Sequence, residues 1–119
     1  VTASRDDRLR RRLRDLQRFA DDAAYTVELG AAAYLEDSSY GRVLRNNGRH
    51  IVVQVATVVE KLPPEFKAEY PDVDWVAIGR MRNLIAHHYD NVDDRLVFAA
   101  LQRRIPALIE RLFRDNGAS

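Results

Sequence analysis

At 119 residues the chain is the size of one domain, 1–119, and long enough to build a single hydrophobic core without staples. It has no cysteine, which excludes disulfides, thiolate nucleophiles and cysteine-based zinc sites. The formal net charge is only +1, so no strong overall field commits the chain to an acidic partner, but arginine supplies 17 of the 19 basic residues and six of them lie between Arg5 and Arg14.

Nothing approaches the roughly 18 consecutive apolar residues of a membrane span. The Arg-rich N-terminus lacks the apolar segment of a signal peptide. The expectation is a soluble, cytoplasmic protein with no membrane association. No cluster of metal ligands is visible, so neither a metal nor another cofactor is expected.

The apolar positions recur at helical spacing along the chain. Ser4-Arg5-Asp6-Asp7 has the form of a capping box and a helix start. Leu9, Leu13, Leu16, Ala20, Ala23 and Val27 then share one face, with Arg11, Arg14 and Arg18 opposite. This predicts a long amphipathic helix reaching about Tyr34, followed by a turn at Asp37-Ser38-Ser39. A second helix is predicted from about Arg42 to Leu62, with Asn47, Ile51, Val55, Val58 and Leu62 inward. Its Val-rich run 51–59 has strand propensity, but the pattern is long and no other segment could pair with it. Pro63-Pro64 ends this helix, and one short turn is predicted at 65–69.

A third helix is predicted from Asp74 to about Tyr89 or Asp90. Asn91-Val92-Asp93-Asp94 then forms a loop and cap. The last helix is predicted from Asp94 to Arg114, with Val97, Leu101, Ile105, Leu108 and Leu112 inward. Pro106 sits within it and should kink or split it. The sum is an all-α, up-and-down bundle of four to five helices.

The chemistry-bearing residues concentrate in Arg82-Asn83-Leu84-Ile85-Ala86-His87-His88-Tyr89. At about 100° per residue, Ala77, Ile78, Met81, Leu84, Ile85 and His88 cluster on the apolar face. Arg80, Arg82, Asn83, His87 and Tyr89 fall outside it. His87 is therefore the candidate for chemistry, and His88 is expected in the core. Taken alone, an exposed Arg-Asn-His-Tyr group is most often a solvated face.

Spacing divides this polar group further. Asn83 and His87, four apart, lie close together on a helix surface. Arg82 and Tyr89, seven apart, share a different stripe. Arg82 and His87 are about 140° apart around the axis. A shared site would need a wrapped arginine, a distorted helix end, or a second copy across a twofold axis.

Arg82, four residues, His87, one residue and Tyr89 resemble the R-x4-H-x-Y motif of HepT-like proteins of the HEPN class. The flanks agree: Pro71-Asp72-Val73-Asp74-Trp75 before Ile78-Gly79-Arg80-Met81, then Asn91-Val92-Asp93, then Ile105-Pro106-Ala107-Leu108. The resemblance covers about Asp37 to Phe113. One departure is in the second helix. Many relatives carry a Gly-Glu-Ala stretch where this chain has Val53-Gln54-Val55-Ala56-Thr57, and Glu60 is the only acid nearby.

The resemblance implies a helical-bundle homodimer whose motifs meet at a cleft. It implies a metal-independent ribonuclease acting as the toxin of a toxin-antitoxin system. Its partner would be a minimal nucleotidyltransferase antitoxin, which in some systems transfers AMP to the motif tyrosine, here Tyr89. On this reading His87 moves a proton, Arg82 stabilises charge on the scissile phosphate, and Asn83 orients His87 or holds a phosphate oxygen. Tyr89 and Arg80 are candidates for substrate binding or, for Tyr89, modification. The basic face of the first helix could extend an RNA track or simply be a solubilising surface. The alternatives are a non-catalytic HEPN module binding nucleotide, RNA or a partner protein, and a helical dimerisation domain with no ligand.

Overall fold

The computed structural model describes residues 4–115. The order is α1 (Arg5–Glu28), α2 (Ala31–Leu35), α3 (Ser39–Glu60), α4 (Pro64–Ala68), α5 (Trp75–His87), a 3-10 turn (Tyr89–Asn91), α6 (Asp94–Ala99), a π turn (Ala100–Arg104) and α7 (Ile105–Asp115). No strand occurs among the described residues, and the Val-rich run 51–59 lies inside α3.

Ser4 starts α1 as the spacing predicts: its hydroxyl accepts the Asp7 N–H at 3.0 Å. The helix buries Leu13, Leu16, Ala20, Ala23 and Thr26. It stops at Glu28, short of the predicted Tyr34. Gly30, at φ +95°, turns the chain in a conformation costly for residues with a Cβ. The five residues of α2 then carry Tyr34 into the core, where no part of it reaches solvent. Its ring meets Phe98 at 5.0 Å between centroids. Its hydroxyl lies against α3, where a Cβ on Gly48 would stand 2.1 Å away. The glycine is what lets the tyrosine and α3 approach this closely.

α3 is the central element, packed against α1, α2, α5 and α6. Its start is capped by the Ser38 hydroxyl, which accepts the Gly41 N–H at 3.0 Å. It contributes Leu44, Ile51, Val52, Val55, Ala56 and Val59 to the core. Asn47 donates to the Thr26 hydroxyl at 3.2 Å, tying α3 to α1.

The last helix is interrupted just before Pro106, where a π turn, Ala100–Arg104, separates α6 from α7. Proline has no N–H to continue the ladder. The strain is taken up one turn earlier, where the Ile105 N–H reaches back five residues to the Ala100 carbonyl. This wider turn keeps Val97, Leu101, Ile105, Leu108 and Leu112 all buried, the set that the spacing predicts.

α5 is less embedded than its sequence suggests. Ile85 is its one fully buried side chain among the described residues, and Leu84, expected inward, is 60% exposed. Ala77, Ile78 and Met81 are half-buried because they line a groove of about 570 Å³ between α5, α3 and α7. The Trp75 indole anchors the start of α5 by donating to the carbonyls of Lys67 and Tyr70, each at 3.2 Å.

Candidate active site

α5 begins with the Asp74 carboxylate accepting the Ala77 N–H at 2.9 Å. It ends at His87, because His88 leaves helical geometry at φ −129°, ψ 40°. The His88 N–H still bonds to the Leu84 carbonyl, and its own carbonyl accepts the Asn91 N–H at 2.8 Å, closing the 3-10 turn. This end decides where two of the candidate side chains go.

His88 is exposed, not in the core. The helical projection assumed that the helix runs through it. Once the backbone departs from α geometry at His88, the 100° step no longer applies and the side chain swings out. His87, Arg80, Asn83, Leu84 and His88 together line a shallow depression of about 410 Å³. The structure thus brings Arg80, Asn83 and His87 to one place on the outer face of α5. Arg80 has no ion-pair or hydrogen-bond partner among the described residues.

Arg82 lies elsewhere. Its side chain is 26% exposed and donates to the Glu60 carboxylate at the end of α3. That contact holds the Glu60 carboxyl below its ordinary range. The acid whose role the sequence leaves open is therefore the partner of the motif arginine.

Tyr89 also turns toward α3. Its hydroxyl donates to Asn46 Oδ1 at 3.1 Å, and its carbonyl accepts from Arg49 Nη1 at 3.0 Å. The Arg49 guanidinium lies over the Tyr89 ring, 4.7 Å from its centroid. The same guanidinium makes a bidentate pair with Asp94, Nε to Oδ1 at 2.8 Å and Nη2 to Oδ2 at 2.6 Å. Both side chains are largely buried, 14% and 15% exposed. The Asp94 carboxylate holds the Arg49 guanidinium above its already high ordinary value.

Within α5 the motif divides as its spacing predicts, but Tyr89 lies beyond the helix end, so the stripe expected to join it to Arg82 does not form. Asn83 and His87 share the outer face, while Arg82 and Tyr89 both reach α3 at separate points. Asn46, Arg49 and Asp94 were not picked out from the sequence. The available signal was weak: Asn46 and Arg49 sit three apart beside the apolar stripe of α3, a common pattern for a solvated flank. Among the described residues no group of three or more His, Cys, Asp or Glu is placed to hold a metal ion. No helix among them is long and apolar enough to cross a membrane.

The profile of the family described as "Ribonuclease HepT-like" matches residues 9–113. The chain is 27% identical over 64 residues to a protein of Methanocaldococcus jannaschii provisionally named an RNase, covering 51% of this chain and 53% of that one. It is 25% identical over 93 residues to a protein of Caldanaerobacter subterraneus, also provisionally named an RNase, covering 78% and 83%. It is 33% identical over 49 residues to a Thermococcus cleftensis protein provisionally named ribonuclease HepT, covering 41% and 44%. The chain thus spans about half the length of the first and third of these relatives. No solved structure matches it significantly.

Proposed function

The chain belongs to the HepT-like ribonuclease family, and from that premise we propose that it is an endoribonuclease acting on RNA through the outer face of α5. The observation that carries this reading is the depression shared by Arg80, Asn83 and His87. It offers a proton carrier, a cation unpaired among the described residues and an amide within one helical turn or two of each other.

In this mechanism His87 takes the proton of a ribose 2′-hydroxyl. The 2′-oxygen forms a bond to the adjacent phosphorus, the P–O5′ bond breaks, and the leaving oxygen takes up a proton. The products are a 2′,3′-cyclic phosphate and a free 5′-hydroxyl. The planar guanidinium of Arg80 is suited to meet the phosphate, and Asn83 orients the imidazole or holds a phosphate oxygen. Arg82 serves as a charge-stabilising residue only if the Glu60 pair opens when RNA binds.

The exposed apolar residues Val76 and Leu84 are 63% and 60% exposed and lie on the same side of α5 as Arg80, Asn83 and His87. They support a homodimer in which two copies of α5 meet and two His87 side chains face one cleft. With the family resemblance, this reading makes the chain a toxin held in check by a nucleotidyltransferase antitoxin, with Tyr89 as the AMP acceptor. The test is RNA cleavage by purified protein in EDTA. Cleavage that survives His87→Ala unchanged would remove the assignment.

A further inference from the structure

The least expected feature near the site is the Arg49–Asp94 pair. Removing two charges from water costs several kcal/mol per ion when burial is deep, and their attraction often does no more than offset it. Stability alone is therefore a weak account of the pair. What it does geometrically is clear. Asp94 engages Nε and Nη2 of Arg49 together, which fixes the plane of the guanidinium. With the plane fixed, Nη1 is aimed at the Tyr89 carbonyl and the flat face lies over the Tyr89 ring. One turn earlier on α3, Asn46 accepts the phenol. Tyr89 is held at three points: main-chain carbonyl, ring face and hydroxyl. The 3-10 turn that carries it has no side-chain cap of its own. These contacts are what α3 adds to the turn.

We propose that Arg49, aligned by Asp94, is a positioning residue for Tyr89, and that with Asn46 it fixes the turn that follows His87. This rests on the reading, supplied by the family motif, that Tyr89 is a substrate-binding residue of the RNA-cleaving site. Arg49 acts through Tyr89 and does not touch the substrate. A lysine cannot substitute: it can pair with Asp94 as a point charge, but it has no planar fork to reach the carbonyl and cover the ring as well.

The test is a double-mutant cycle read in two ways. In the first, RNA cleavage is measured for Arg49→Lys and Asn46→Ala, each alone and with Tyr89→Ala. Arg49→Lys is expected to lower kcat on the order of tenfold with KM within about twofold, the signature of a misplaced group at the reacting centre. With Tyr89→Ala already present, Arg49→Lys should change nothing further. An equal loss in both backgrounds, or a raised KM with a smaller salt dependence, would overturn the proposal and make Arg49 a direct RNA contact.

The second reading needs no activity. Carbon-13-labelled tyrosine rings are followed by NMR, with the Tyr89 signals assigned by Tyr89→Phe. They should shift in both Arg49→Lys and Asn46→Ala while those of Tyr25 and Tyr70 stay in place. Unmoved Tyr89 signals in both variants would end the proposal. Asn46 is exposed, so its variant is expected to fold even if Arg49→Lys does not. A wild-type chain that cut no RNA would sink the functional reading, and the ring signals would still decide whether Arg49 holds Tyr89.

Discussion

Arg82 and His87 leave α5 in different directions: Arg82 pairs with Glu60 of α3, and His87 opens onto the outer depression beside Arg80 and Asn83. On the proposed mechanism, one copy of the chain presents the proton carrier His87 with Arg80, unpaired among the described residues, as the nearer cation. Kinetics should reflect that division. His87→Ala is expected to lower kcat by about 10² to 10⁴-fold, the usual contribution of a general acid or base. Arg80→Ala should act mainly on KM and on salt dependence, as a phosphate contact does. Steady-state cleavage of a short RNA at two salt concentrations separates the two. An Arg80→Ala enzyme with unchanged KM would remove Arg80 from the substrate contact.

The Glu60–Arg82 pair, and a second in which Arg111 Nε of α7 donates to Asp72 Oδ2 at 2.9 Å, predict acid sensitivity. Each carboxyl is held below its ordinary value, first by a hydrogen bond from its arginine. A depressed value in the folded state means that the unfolded chain binds protons more readily. The stabilisation is full above the ordinary values of 4.5 for Glu60 and 3.8 for Asp72, and is lost as the pH falls through the lower, folded-state values. Both carboxyls are solvent-exposed, so the effect should be modest. Urea unfolding followed by the fluorescence of Trp75 should show stability declining below the ordinary carboxyl range. The Glu60→Gln, Asp72→Asn double variant should show a shallower decline. An identical slope in both proteins would exclude these pairs as its source.

Leu84 is 60% exposed on the face that carries Asn83 and His87. If that face joins two copies, Leu84→Asp should place an unpaired charge in the contact and produce a monomer. Sedimentation velocity should show a dimer for the wild type and a single lighter species for the variant, with cleavage lost. A wild-type monomer that cleaves RNA would show that one copy suffices.

Gly48 and Tyr34 make a prediction about the fold. A Cβ on Gly48 would meet the Tyr34 hydroxyl at 2.1 Å and the ring carbons at 2.9 Å. Gly48→Ala should cost about 1–3 kcal/mol, the usual penalty for overpacking a core. The Tyr34 hydroxyl is buried without a hydrogen-bond partner among the described residues, and burial pushes its ionisation well up. Tyr34→Phe should therefore be neutral or stabilising. Adding it to Gly48→Ala should recover part of the loss, because the closest contact is gone but the ring remains. Thermal unfolding of the four proteins checks this, and full additivity would contradict the geometry.

Co-expression with a minimal nucleotidyltransferase of the proposed antitoxin type tests the proposed regulation. Intact-mass measurement should show the gain of one or more AMP units, absent in Tyr89→Phe. A gain that persists in that variant would place the modification on another residue.

The sequence by itself determined the helical class, the start of α1 at Ser4, the end of α3 before Pro63-Pro64 and the inward set of the last helix. These follow from local rules: helical periodicity, caps and proline chemistry act within a few residues. The separation of Asn83 and His87 from Arg82 was legible for the same reason, since spacing on one helix fixes direction; Tyr89 lies past the end of α5, so its turn toward α3 was not. The early stop of α1 escaped because Gly30 turns the chain in order to bury Tyr34 against Phe98 and Gly48, a contact between distant segments. His88 was placed wrongly because projection assumes a continuous helix, and the helix ends one residue before it. Tertiary structure alone decided what Arg82 and Tyr89 touch. Glu60, Asn46, Arg49 and Asp94 lie 22 to 45 residues from the partners they hold, and only the packing of α3 against α5 and α6 brings them there.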